Sequence, residues 1–143
     1  MNGWLSVLGA GVVLLLLAPN AASAWRGHGV TLRCANRAAC ALEQVGRYGC
    51  IACMALNFKP LCGGFPSSGI FVVWAVIVPA LILLYWGLWV LYARKPAKKL
   101  AVGLAAVPSA VFLATGLCMA YWLLAAFAVL FGAAHLYVVC NAQ

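Results

Sequence analysis

The chain has 143 residues, 68% of them apolar or aromatic, and carries nine Lys and Arg against a single acid, Glu43. Soluble domains run at about 45–50% apolar, so the surplus exceeds any soluble core and the bilayer must act as solvent for much of the chain. One carboxylate excludes paired-carboxylate acid–base chemistry and oxygen-rich calcium or magnesium cages, which leaves Cys, His, Arg, Lys and hydroxyls. The basic residues do not form a nucleic-acid footprint, and no nucleic acid is expected as a partner.

Residues 1–24 hold an apolar run centred on Val12 to Leu17, then Pro19, Asn20 and Ala22-Ser23-Ala24. The last three fit the small-residue cleavage pattern of a secretory signal peptide, with Trp25 as the first mature residue. No Lys or Arg precedes the run, so a first, uncleaved transmembrane span is the alternative.

Residues 25–68 form a Cys-rich segment, expected to be extracytoplasmic. Asn36 is placed to cap a short helix running to about Asn57. Its buried stripe is expected at Leu42, Val45, Gly49, Ala52 and Leu56. Gly46 and Gly49 weaken this helix, and Lys59-Pro60 should end it before the turn-rich linker Gly63 to Ser68. Glu43 and Arg47 stand four apart in the favoured order, worth ~0.3–0.5 kcal/mol. That pair accounts for the lone acid without catalysis, and its place in a polar segment excludes a transmembrane carboxylate relay.

Residues 69–93 are apolar throughout and as a helix would span about 37 Å, enough to cross with some tilt. Pro79 is expected to kink it. Tyr85, Trp86, Trp89 and Tyr92 crowd the end beside Arg94, Lys95, Lys98 and Lys99, as aromatic rings and cations do at a membrane–water interface. The 94–99 cluster reads as a cytoplasmic loop in contact with anionic headgroups. Residues 100–140 contain no Lys, Arg, Asp or Glu, and as one helix would reach about 61 Å, twice the hydrocarbon thickness. Two spans with a turn near Thr115 to Trp122, loosened by Gly116, are expected. An interfacial helix before Pro108 followed by one long span is the other solution. Ala106, Ala110, Ala114 and Cys118 form a small-residue ridge suited to helix–helix contact within the protein, with a partner protein or between copies. The fold class is therefore an all-α membrane protein, a small polytopic helical bundle with three spans plus a cleaved signal, or four spans.

The 25–68 segment and the 94–99 loop fall on opposite sides of the membrane in this reading. The dense loop is the stronger determinant and is placed inside. Cys34, Cys40, Cys50, Cys53, Cys62 and Cys118 then lie outside, an even set consistent with three disulfides in 15 possible connectivities. Cys140 is left on the cytoplasmic side.

Cys50-Ile51-Ala52-Cys53 puts two thiols on one helical face. The spacing suits a structural bridge, a redox pair activated by Arg47, or a metal pair. A soft-metal site for zinc, copper(I) or mercury would draw on the five clustered cysteines and His28, but their spacing matches no standard zinc module. His135 is expected as a neutral imidazole bonded to a neighbouring helix, in preference to a proton carrier.

The cysteine placement resembles membrane disulfide-exchange proteins of the DsbB and vitamin K epoxide reductase type. That resemblance implies a four-helix bundle, a quinone cofactor and roles for Cys50, Cys53 and Arg47. It departs in that the C-x-x-C lies mid-segment and the last outer turn offers Cys118 alone. A signal, two apolar helices and a basic loop at Arg94 to Lys99 also look like secretion-system pilins, from which the cysteine segment and third span depart. The function expected from the sequence is a non-enzymatic structural or assembly subunit, or an interaction module, with a disulfide-stapled exported segment. Thiol–disulfide exchange, soft-metal binding or transport, and a pilin-like role are the alternatives.

Overall fold

The computed structural model describes residues 6–27, 36–56 and 63–141. The expectations attached to His28, Cys34, Lys59-Pro60 and Cys62 lie outside the described residues. Five helices follow in order: α1 Val7–Trp25, α2 Arg37–Ala55, α3 Ser68–Arg94, α4 Lys98–Cys118 and α5 Trp122–Asn141. All but α2 are long and apolar enough to cross a membrane. The protein is a small all-α bundle of the integral membrane class, as its composition requires.

Side-chain chemistry starts the helices where the sequence places caps. Ser6, Asn36 and Ser67 each accept from a backbone N–H of the first turn, satisfying a donor that has no partner within the helix. α3 runs unbroken through Pro79. α4 and α5 meet in a tight turn at residues 119–121, so the two-span solution holds. Ala120 adopts a left-handed φ of 49°, and Tyr121 N–H and Ala120 N–H donate back to the Gly116 and Leu117 carbonyls at 2.7 and 3.2 Å. This is a Schellman-type stop. Gly116 does not loosen the turn. A Cβ there would fall 2.8 Å from the Ala125 nitrogen, so its role is to let α5 approach α4.

Successive helices alternate in direction. Ser6 N–H donates to the Ala55 carbonyl at 2.9 Å, which sets the start of α1 against the end of α2. Trp74 Nε1 donates to Thr115 Oγ1 at 3.1 Å, which sets the start of α3 against the end of α4. One end of the bundle therefore carries the α4–α5 turn, and the other carries the α3–α4 connection. Arg26, Arg37, Arg94, Lys95, Lys98 and Lys99 sit at or beside helix termini of that second, basic end. α2 runs the length of the bundle, so the residues just after α1 lie at the same end of it as the 94–99 loop.

α2 is turned inside out. Its buried residues are Glu43, Gly46, Cys50, Cys53 and Met54, whereas Leu42, Val45 and Leu56, three of the expected core stripe, are 48%, 55% and 41% exposed. The apolar stripe faces outward and the small and polar stripe faces α5. Small residues on the inward stripe let the two helix backbones approach closely. Gly46 and Gly49 serve that approach: a Cβ at either would lie 2.7 Å from the Phe131 nitrogen or 2.5 Å from the Phe127 ring.

α1 is held to the bundle more loosely than the other helices, and its Pro19 shows how. Proline has no N–H, so the Leu15 carbonyl four residues earlier lacks its helical donor. Trp86 Nε1 on α3 supplies one at 2.9 Å. Asn20 Nδ2 adds a bond to Tyr85 Oη at 2.9 Å. Replacing Trp86 with Phe keeps the ring and strands that carbonyl. A loss of about 1 kcal/mol is expected, read as a lower midpoint in detergent unfolding, with no further loss when Pro19→Ala restores the helical donor.

Candidate functional site

The features that the helix pairing brings together are a three-residue ionic cluster and the cavity beside it. Glu43 is 5% exposed. Its Oε1 accepts from Arg47 Nη2 on the same helix and from His135 Nδ1 on α5 at 2.9 Å. A carboxylate is acceptor-only, so Nδ1 carries the proton in this contact. Nε2 is left without a hydrogen-bond partner among the described residues. Phe131 braces both basic groups: its ring stacks on His135 with centroids 5.1 Å apart, and the Arg47 guanidinium lies 5.8 Å above it, within cation–π range.

Two expectations change here. The Glu43–Arg47 pair forms, but it does not exhaust the role of the acid. His135 has a buried ionisable partner on another helix, which the sequence placed in a polar segment away from the bundle. A signal was present: Glu43, Gly46, Cys50 and Cys53 recur every three or four residues, a polar and small-residue stripe of the kind that packs membrane helices.

The cavity has a volume of about 370 Å³ and is bounded by all five helices, within the range of small-molecule sites. Its wall is apolar at Val13, Leu16, Pro108 and Phe112, and carries Arg47, His135, Asn20, Tyr85 and Trp89. Glu43 lies behind Arg47 and is not on the wall. Tyr85 and Trp89 therefore serve the interior; Tyr85 is 2% exposed and cannot anchor to the interface as expected. Trp86 stays half exposed while bonded to α1, and Tyr92 is partly buried against the core.

No protein-family model, curated protein or solved structure matches this chain. What it does has to be argued from its own side chains.

Cys50, Cys53, Cys118 and Cys140 are free thiols. The disulfides expected for Cys50, Cys53 and Cys118 are therefore not formed. Cys40 is disulfide-bonded. The thiol pair also fails to meet Arg47 in one site. Cys50 is fully buried and is not on the wall of the 370 Å³ cavity, and Cys53 borders a separate space of about 60 Å³ shared with Ser6, Thr115 and Tyr121. That volume holds a few waters. Among the described residues, no three His, Cys, Asp or Glu come together as a metal site. The Ala106, Ala110 and Ala114 ridge is not the face that packs inside the bundle. Ala110 is exposed, and α4 meets α5 through Ser109 and Gly116 instead.

Proposed function

We propose that this protein is a non-enzymatic, membrane-embedded binding module in which all five helices cross the bilayer and a lipid-borne ligand occupies the cavity beside Arg47. The observation that carries this reading is the Glu43–Arg47–His135 cluster at the cavity wall. Ionisable side chains at membrane depth are costly and face interiors or pathways where they act. A purely structural contact would not need a cavity of this size next to it.

The α2 inversion supports its crossing. Its 19 residues give about 28 Å of helix, close to the hydrocarbon thickness. Five crossings put the six described terminal cations on one side, and the positive-inside trend makes that side cytoplasmic. The bond at Cys40 pulls the other way, since disulfides persist outside the cytosol, but it is one bond against six charges. α1 is retained in this reading, because Val12, Val13 and Leu16 are buried and Ala22-Ser23-Ala24 lies within its helix.

The number of crossings fixes a simple outcome. Reporters that work only in the cytoplasm, fused to either terminus, are expected to be active at the carboxyl end and silent at the amino end, with the full-length mass retained. Both active or both silent means that α2 does not cross; loss of the first 24 residues means that α1 is a signal. A subunit role is a second reading, favoured by the outward Ala110. It predicts that Ala110→Leu abolishes a cross-linked complex in native membranes without lowering stability. Thiol–disulfide exchange is less well supported, because both thiols are buried away from the cavity.

A further inference from the structure

Arg47, Trp89 and Tyr85 on the cavity wall offer donors, while the Asn20 side-chain oxygen and His135 Nε2 are acceptors there. Arg47 has five N–H donors, and Glu43 takes one at Nη2. The indole N–H of Trp89 is buried and makes no hydrogen bond of full geometry, with Tyr85 only a weak partner, so it favours a ligand that accepts from it. Tyr85 Oη accepts from Asn20, and its own proton has no acceptor among the described residues. The one carboxylate in the chain sits behind this wall, already shared by Arg47 and His135. A cation would find no counter-charge in the cavity, whereas an anion meets Arg47 and uncommitted N–H and O–H donors.

We propose that the cavity binds a single-chain lipid anion, with its headgroup on Arg47, Trp89 Nε1–H and Tyr85 Oη–H and its chain against Val13, Leu16 and Phe112. This rests on the binding-module reading and names its ligand class. A carboxylate is the simplest headgroup, because a guanidinium matches it in a two-pronged, charge-assisted bond. The volume of about 370 Å³ lies near the lower end of ligand pockets and suits one acyl chain rather than two. Entry from the lipid fits the loose attachment of α1, whose inner face forms one wall.

The test uses the full-length protein in phosphatidylcholine nanodiscs, with palmitate, methyl palmitate and hexadecylamine as competing probes. Saturable palmitate binding at least about tenfold tighter than the ester, a difference of about 1.4 kcal/mol, is expected, with the amine weakest. Trp89→Phe keeps the ring, removes only the indole donor and should weaken palmitate severalfold while leaving the ester unchanged. Arg47→Gln should erase the preference for the acid. If acid and ester bind equally well and Ala101→Phe, which fills the cavity, abolishes both, the headgroup assignment is overturned and the binding module stands. If no probe binds saturably, or Ala101→Phe leaves binding intact, the cavity reading falls with it.

Discussion

Glu43→Leu is expected to destabilise the bundle by about 3 kcal/mol. Removing one member of a buried ionic group leaves its partners charged or polar without compensation, which costs about 3–5 kcal/mol in well-buried cases. Arg47 is 36% exposed at its side chain, so part of that cost is relieved by screening and the lower figure applies. His135 loses the acceptor for its Nδ1 at the same time. The decisive companion is the triple change Glu43→Leu, Arg47→Met and His135→Leu. Apolar replacement of a whole buried ionic group is often neutral or stabilising, so the triple variant should recover most of the stability. It should also lose the binding of the acid probe. Recovery of stability together with retained binding would separate the cluster from the site and count against its functional role. Steric-trap or denaturant unfolding in bicelles reads the first quantity, and the nanodisc competition reads the second.

Gly46→Leu is expected to be more damaging than the same change at Gly49. A side chain at Gly46 meets the Phe131 nitrogen and Cα at 2.7 and 2.8 Å, which are backbone atoms and cannot rotate away. The obstruction at Gly49 is the Phe127 ring at 2.5–2.7 Å, a partly buried side chain with room to swing. Overpacking usually costs about 1–3 kcal/mol; at Gly46 the upper figure is expected, because α2 must translate away from α5. That displacement breaks the Glu43–His135 contact one turn away, so Gly46→Leu should reproduce the binding loss of the triple variant while Gly49→Ala should not.

The apolar helices α3, α4 and α5 were legible because hydrophobic length alone identifies a membrane helix, and the α4–α5 turn followed from a charge-free stretch too long for one crossing; the α1 run reads first as a cleaved signal, with a retained span as the alternative. α2 was misread at the level of its face. Periodicity assumes that the apolar stripe turns inward, which holds only where water is the solvent outside. On the five-crossing reading lipid lies outside and the faces reverse: Leu42 and Val45 are exposed while Glu43 and Gly46 are buried. Reading α2 as an exported helix makes its three charged residues surface charges and its cysteines a staple set. The Glu43–His135 contact joins residues 92 positions apart, and no local pattern encodes a pairing of that length. Trp86 was read as an interfacial anchor, and its bond to the Leu15 carbonyl could have been suspected only by asking which donor replaces the missing N–H of Pro19.

The late position of α5 has a consequence for how the protein is made. α2 carries Arg37, Glu43 and Arg47, and Arg, Lys or Asp at the centre of an inserting helix costs about 2.5–3.5 kcal/mol. It cannot remain in the lipid by its own hydropathy. The helix that shields its polar stripe begins at Trp122, 67 positions after Ala55, which at usual elongation rates means a delay of roughly 3–13 s. On the five-crossing reading, α2 waits at the translocon, or in the care of an insertion factor, until the carboxyl-terminal helix arrives. A chain truncated before Trp122 would then release α2 from the membrane, while α3 and α4 stay inserted.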